Sequence, residues 1–204
     1  MTPVCILDYG MGNVASVANM IRKVGGEPKL TSRPEDVVAA PKIVLPGVGS
    51  FDPGVTALAQ RSLDAALKEA VAERGALVLG ICLGMQLLLD SSEEGVLPGL
   101  GLVPGSVRRF RVEAHGLRVP HMGWNLARPS AKQRLFGSAD EERRYYFVHS
   151  YHAQCASEAD VSATAHYGYD FACAVERENV MGVQFHPEKS HRFGMALFKR
   201  FIEL

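Results

Sequence analysis

Short apolar runs alternate with stretches of helical period through the first eighty or so residues. Val4-Cys5-Ile6-Leu7, Ile43-Val44-Leu45 and residues 76–81 are continuous apolar runs, too short for helices and bounded by turn residues, which reads as strands buried on both faces. Residues 28–30 form a shorter strand candidate. Asp8-Tyr9-Gly10-Met11-Gly12-Asn13 is a tight turn whose Asn13 caps a helix running to about Val24, ended by Gly25-Gly26. Asp52-Pro53 opens a second helix, with Asp as cap and Pro at the first helical position. Val55, Leu58, Ala59, Leu63, Ala66, Leu67, Ala70 and Val71 recur at helical spacing through it. From about Ser106 the pattern shifts to short strands near Val107 and Val119 and over 145–148, 161–165, 172–175 and 180–185. Residues 132–144 are charged and read as an exposed excursion. A final helix spans 190–204, with Phe193, Leu197, Phe201 and Leu204 on one face.

Alternation of this kind predicts an α/β fold: an open, mostly parallel, twisted sheet with helices on both faces, plus extra strands in the C-terminal half. There is no internal repeat, low-complexity tract or linker, so residues 1–204 are expected to form one domain. In such sheets chemistry gathers at the carboxyl ends of the strands. The residues arriving there are Cys82 and the loop Pro46-Gly47-Val48-Gly49-Ser50.

Cys82 stands where the strand 76–81 gives way to a helical pattern, with Gly80 before it and Gly84 after it. That is the form of a nucleophile elbow, in which small neighbours let the backbone crowd the nucleophile. The start of a helix favours thiolate over thiol, and thiolate is the reactive form. Near the C-terminus, Val183-Gln184-Phe185-His186-Pro187-Glu188 ends a strand on a histidine with a glutamate two residues later. A catalytic cysteine needs a base, and the base an orienting acceptor; Cys82, His186 and Glu188 fill those roles. His149 is the rival base, but it ends an apolar run and has no carboxylate close by in sequence. An oxyanion hole at an elbow uses the N–H after the nucleophile and one from a neighbouring strand loop, here Leu83 and either Val48 or Gly49.

Composition narrows the picture by exclusion. The 204 residues are 47% hydrophobic and 22% charged, ordinary for a globular chain with a sizeable core. Lys+Arg and Asp+Glu both number 22, so net charge gives no support to nucleic-acid or membrane-surface binding. The Arg108-Arg109-Phe110-Arg111 cluster reads as a solvated strand or loop. Cys5, Cys82, Cys155 and Cys173 are dispersed with no Cys-x-x-Cys pair, so neither a metal site nor a disulfide framework is expected, and a reducing, cytoplasmic setting is. No secretory leader and no membrane-spanning run is read.

These residues resemble the class I, triad-type glutamine amidotransferases along nearly the whole chain. The shared pieces are Gly80-x-Cys82-x-Gly84-x-Gln86, Pro46-Gly47-Val48-Gly49 and His186-Pro187-Glu188. Within that class the chain is most similar to the HisH-type glutaminase subunits of imidazole glycerol phosphate synthase. The selective pieces are residues 8–13, 46–51, Pro120-His121-Met122-Gly123-Trp124-Asn125 and Tyr146-Phe147-Val148-His149-Ser150-Tyr151. The resemblance implies a flavodoxin-like fold and hydrolysis of L-glutamine to glutamate and ammonia without a cofactor. It implies that Gly47, Gln86 and the His149-Ser150-Tyr151 backbone hold the substrate. It also implies a heterodimer with a (βα)8-barrel cyclase that consumes the ammonia in histidine biosynthesis, forming imidazole glycerol phosphate and AICAR. Met122, Trp124 and Lys189 are the expected partner face, although Trp124 also reads as a core residue and Lys189 as an ordinary solvated lysine. Many class members carry Pro-Gly-Gly in the oxyanion loop. Val48 replaces the second glycine, and a valine resists positive φ, so the hole is expected to be only partly formed at rest. The rival readings are a glutaminase subunit of another ammonia-using synthase such as that for pyridoxal phosphate, an elbow-type cysteine hydrolase of esters or lactones, and a non-catalytic binding subunit.

Overall fold

The computed structural model describes residues 3–131, 133–137 and 143–204. The chain runs β1 (Pro3–Leu7), α1 (Val14–Lys23), β2 (Glu27–Thr31), α2 (Pro34–Val38), β3 (Lys42–Gly47), α3 (Phe51–Ala59), α4 (Leu63–Arg74), β4 (Leu77–Cys82), α5 (Leu83–Leu87) and β5 (Ser91–Ser92). There follow β6 (Gly105–Arg109), β7 (His121–Leu126), β8 (Arg128–Pro129), β9 (Arg144–His149), β10 (Tyr151–Cys155), β11 (Val161–Tyr167), β12 (Tyr169–Arg177), β13 (Val180–Val183) and α6 (His191–Glu203).

The main sheet has the order β2-β1-β3-β4-β13-β12-β10-β6-β5. From β2 to β13 every pairing is parallel. Beyond β13 the strands run antiparallel through β12, β10 and β6, with β11 and β8 attached beside β12. Strands β7 and β9 form a separate antiparallel pair.

Period 2 along each parallel strand feeds two cores. On one side Val4, Ile6, Val44, Leu79, Ile81, Met181 and Val183 meet the apolar stripes of α1 and α6. On the other, Cys5, Leu7, Ile43, Leu45, Val78 and Val180 meet α3, α4 and α5. A strand buried on both faces must be apolar throughout, which explains the unbroken runs in the sequence. Burying one such Ile or Leu contributes on the order of 2 kcal/mol, before the entropy of ordering the chain is subtracted.

Several expectations need correction. The helical period from Val55 to Val71 belongs to two helices, broken at Ser62, which takes φ 54°. The first of them starts at Phe51, so Asp52 is not its cap; the Asp52 carboxylate instead accepts the N–H groups of Val96 and Leu97 at 3.0–3.1 Å. Val119 precedes a cis proline and lies outside the strand, which begins at His121. Helix α2 carries too few residues to show a period. In the stretch 132–144, Leu135 and Phe136 are buried at 1% and 2% exposure rather than exposed; residues 132 and 138–142 lie outside the described residues. Leu204 is 43% exposed, so the apolar face of α6 ends at Phe201.

Candidate active site

Cys82 is the last residue of β4, with φ 54° and ψ −111°. A non-glycine residue pays strain for that backbone, which persists only where the surroundings enforce it. The enforcement is visible at the two glycines. A Cβ on Gly84 would run into the Leu45 carbonyl, and one on Gly80 would sit 2.8 Å from the Gly84 backbone and the Met85 Cα. The elbow therefore packs α5 directly onto β3 and β4 with no room for side chains, and lifts Cys82 into a cavity.

That cavity has a volume of about 300 Å³. Of the residues the sequence singles out, Val48, Gly49, Cys82, Leu83, Gln86, His149, Ser150, Tyr151, His186 and Lys189 line it. Gly47 does not; it lies below, against Leu83, Gly84 and Tyr9. Met122 and Trp124 are also outside it, exposed at 62% and 43% on β7.

His186 follows β13 and is buried. Its Nδ1 lies 2.7 Å from Glu188 Oε1, which turns the opposite edge of the ring toward Cys82. Burial disfavours charge on this ring, but the hydrogen bonds and charges of Cys82 and Glu188 outweigh it and raise its pKa to about 9. The backbone is gripped as well. The His186 N–H donates to Tyr146 O at 2.9 Å, and the Ser190 hydroxyl donates to His186 O at 2.6 Å while accepting from Tyr146 N at 3.0 Å.

His149 faces the same cavity in a different state. Its Nδ1 lies 2.6 Å from the Tyr151 carbonyl, which can only accept, so Nδ1 carries the proton. Its Nε2 is then an acceptor, and it lies 3.0 Å from His121 Nδ1, which must donate. His121 Nε2 in turn accepts from the Asn125 side-chain amide at 3.2 Å. Both nitrogens of His149 are thus committed, and neither is free to take a proton from Cys82. Burial, the largest cause, pushes the pKa of His149 down to about 3 and that of His121 to about 4. Among these rings, His186 alone pairs with a carboxylate.

Three residues that the sequence does not single out also belong to this neighbourhood. Gln184, fully buried, accepts from the Gln86 amide at 3.0 Å and points its own amide at Cys82 Sγ, 3.7 Å away. A signal for it exists: a glutamine within an otherwise apolar run, here just past the end of β13, needs a buried polar partner. Glu94 lines the cavity and accepts the N–H of Phe51 at 2.9 Å. His121, at the start of β7, is 4% exposed and meets His149 at 3.0 Å. The thiols of Cys5 and Cys155 are pushed up to about 11 by burial, and that of Cys173 is raised further still.

This geometry can be set beside known proteins. Residues 5–204 match the family model described as "Glutamine amidotransferase class-I". The chain is 46% identical to the imidazole glycerol phosphate synthase subunit HisH of Moorella thermoacetica, over 100% of this chain and 96% of that protein. It is 45% identical to the subunit of the same name from Bdellovibrio bacteriovorus, over 98% of each. Among solved structures, the fold is similar to PurLQS from Thermotoga maritima (TM-score 0.74, 19% identity, 99% of this chain and 98% of that one). It is also similar to a glutamine amidotransferase from the same organism (TM-score 0.64, 18% identity, 99% and 81%). Those structural likenesses carry the fold; the family follows from the profile match and from relatives that align end to end. A cysteine elbow facing a His–Glu pair thus has its place: the chain belongs to the class-I glutamine amidotransferases and, within them, to the HisH subunits of imidazole glycerol phosphate synthase.

Proposed function

We propose that this chain hydrolyses L-glutamine to L-glutamate and ammonia and delivers the ammonia to a cyclase subunit that forms imidazole glycerol phosphate and AICAR. The observation that carries the reading is the His186 ring, held at 2.7 Å by Glu188 on one edge and facing Cys82 on the other. In this reading the Cys82 thiolate attacks the carboxamide carbon, and the oxygen becomes an oxyanion bound by the Leu83 N–H and an N–H of the Val48–Gly49 segment. Each such donor is typically worth about 3–4 kcal/mol. His186 passes its proton to the departing ammonia, leaving a thioester on Cys82. It then takes a proton from water, which attacks the thioester and releases glutamate. Glu188 holds the ring in the required tautomer and stabilises its charged form. Gln86, Ser150 and Tyr151 hold the amino-acid end of the substrate.

Ammonia released into water would be protonated and lose its nucleophilicity, which favours a docked consumer. The face proposed for a (βα)8-barrel cyclase is the β7 stripe Met122, Trp124 and Leu126, all exposed, with Lys189 at the cavity mouth. Trp and Met are enriched at interfaces. A cytoplasmic setting accords with four free cysteines; among the described residues, no helix is long and apolar enough to cross a membrane.

Gly49 takes φ 123° while Val48 is not among the residues with positive φ. This supports a hole whose Val48 amide is set only when the partner docks. The test is steady-state glutamate release with and without a cyclase and its phosphoribosyl ligand. Slow turnover alone and a steep rise in kcat with both are expected, since completing the hole acts on the transition state. Equal rates in all conditions would reject the coupling, and no ammonia from glutamine in any condition would favour the ester- or lactone-hydrolase reading instead.

A further inference from the structure

None of residues 8–13 lines the cavity beside Cys82, yet this turn is built around the loop that does. Tyr9 is 1% exposed although Asp8 and Gly10 beside it are exposed. Its hydroxyl donates to the Pro46 carbonyl at 2.7 Å. The direction of that carbonyl follows from strand pairing. Pro41 O accepts from Leu77 N on β4, so alternate carbonyls of β3 face β4, and that of Pro46 falls in the other set, on the β1 side. There β1 has already ended at Leu7. The tyrosine side chain reaches across the gap and supplies the donor that a longer β1 would have supplied.

The neighbours of Tyr9 press on the same loop. Gly12 takes φ 116°, and a Cβ there would lie 3.2 Å from Gly47 N and 3.3 Å from the Pro46 carbonyl carbon. A Cβ on Gly47 would lie 2.8 Å from the Tyr9 oxygen and 2.7 Å from Gly84 N. One on Gly49 would meet the Met11 methyl at 2.6 Å. Residues 9–12 therefore form a saddle under 46–49, meeting it at Pro46, Gly47 and Gly49. Because the peptide group is planar, fixing the Pro46 carbonyl also fixes the direction of the Gly47 N–H. Any turning of amides toward Cys82 is then confined to the two peptide units after Gly47.

We infer that Tyr9 is a positioning residue: its hydroxyl anchors the Pro46 peptide and so sets the pivot from which the Val48 and Gly49 amides address the oxyanion. The inference rests on the reading of those amides as oxyanion donors. It predicts that Tyr9→Phe, which keeps the ring and deletes only the donor, lowers kcat about tenfold, the scale of one hydrogen bond, and leaves KM within about twofold.

Two probes of Cys82 separate positioning from a structural effect. A chloromethyl ketone of glutamine shape adds sulfur to a carbonyl, passes through an oxyanion, and ends as a thioether with loss of chloride. Iodoacetamide alkylates the same sulfur by direct displacement of iodide, with no oxyanion. In Tyr9→Phe the ketone should label Cys82 about tenfold more slowly, and iodoacetamide should alkylate it at the wild-type rate. Gly12→Ala, which pushes a methyl into the same saddle, should show the same split. Unchanged kcat and ketone labelling in Tyr9→Phe would overturn the inference, and so would parallel slowing with iodoacetamide, which would mean that Tyr9 acts on the thiol or on the fold. If the wild-type chain itself releases no ammonia from glutamine and its Cys82 is not labelled by the ketone, the reading of the site falls, and this inference with it.

Discussion

Two histidines line one cavity, and the contrast between their surroundings is what separates them in the proposed mechanism. His186 and His149 are both buried, at 2% and 6% exposure. Burial alone would make both neutral. The difference lies in what each ring leans on. His186 leans on Cys82 and on a carboxylate, which outweigh burial and raise its pKa to about 9; His149 leans on a carbonyl and on a second ring, and burial takes its pKa down to about 3. In the proposed mechanism the carboxylate corner holds a proton, lends it and recovers it. The carbonyl wall can only hold shape, and it does so through a chain of assigned donors from Asn125 to His121 to His149 to Tyr151. The proposed function thus assigns chemistry and substrate shape to two walls of one pocket.

The largest expected effect removes what the two walls share. Cys82→Ala should lower glutamate release by at least about 10⁴-fold, because the nucleophile is lost from a unit that works together. A glutamine-like electrophile should label Cys82 and none of the other three cysteines, whose thiols burial makes less acidic. Mass mapping of the labelled peptides checks this, and undiminished turnover by the alanine variant would sink the mechanism.

The next effect tests the contrast itself. His186→Ala removes the proton carrier from both half-reactions and should cost about 10³-fold or more in kcat. Glu188→Gln leaves the ring but removes its charge support, and should cost less than loss of the ring itself. His149→Ala should cost only about tenfold in kcat/KM, mostly through KM, since it leaves Tyr151 O and the His121 N–H without their partner. If the order of the two histidines were reversed, the roles of the two walls would be exchanged.

The proposed catalytic corner is far more legible in the sequence than the wall. Cys82 announces itself by a local pattern, an apolar run that stops between two glycines, and His186 and Glu188 stand two residues apart on one loop. The parallel half of the sheet is legible for a similar reason: strands buried on both faces leave continuous apolar runs. The wall is not legible because it is assembled by strand pairing. His121 meets His149 only through the register of β7 with β9, and Gln184 meets Gln86 only across the gap from β13 to α5. The same holds for Tyr9, whose partner Pro46 is 37 residues away. The break at Ser62 is hidden because the apolar period runs through it without interruption. Val119 reads as strand from its β-branched side chain, whereas pairing starts at His121.

A smaller effect is expected where the partner face meets both walls. Strand β7 turns His121 and Asn125 toward the wall, and Met122, Trp124 and Leu126 away from it. Trp124 stacks on His191 with ring centroids 5.6 Å apart, and His191 follows the Ser190 that grips the His186 backbone. Trp124→Ala should weaken binding of the proposed cyclase about tenfold, in the range of an exposed aromatic anchor, and Met122→Ala less. Calorimetry with the two isolated proteins measures both; full-strength binding by the double variant would place the interface elsewhere.

The smallest effect is on stability, and it carries opposite signs for the two walls. The folded pKa of His186, about 9, lies above its ordinary value of 6.5, so the native state holds the extra proton between those values. Its contribution to stability is fully present below pH 6.5 and is lost as pH rises toward 9. For His149 and His121 the folded values, about 3 and about 4, lie below the ordinary one. Between pH 6.5 and about 4 the unfolded chain binds the extra protons, so these two rings subtract stability as pH falls through that window. His152, its pKa also lowered by burial, adds in the same sense. Denaturation midpoints should therefore fall on both sides of a maximum near pH 6.5, with different residues responsible for each limb. In Glu188→Gln the alkaline limb should flatten, because the ring loses the partner that holds its proton, while the acid limb stays. In His149→Gln the acid limb should flatten and the alkaline one stay. Shifts of a few degrees in Tm are enough to read, since about 1 kcal/mol moves Tm by 2–4 °C in a chain of this size. Flattening of the same limb by both substitutions would mean that the two rings titrate as one coupled unit, and the separation of the walls would not hold.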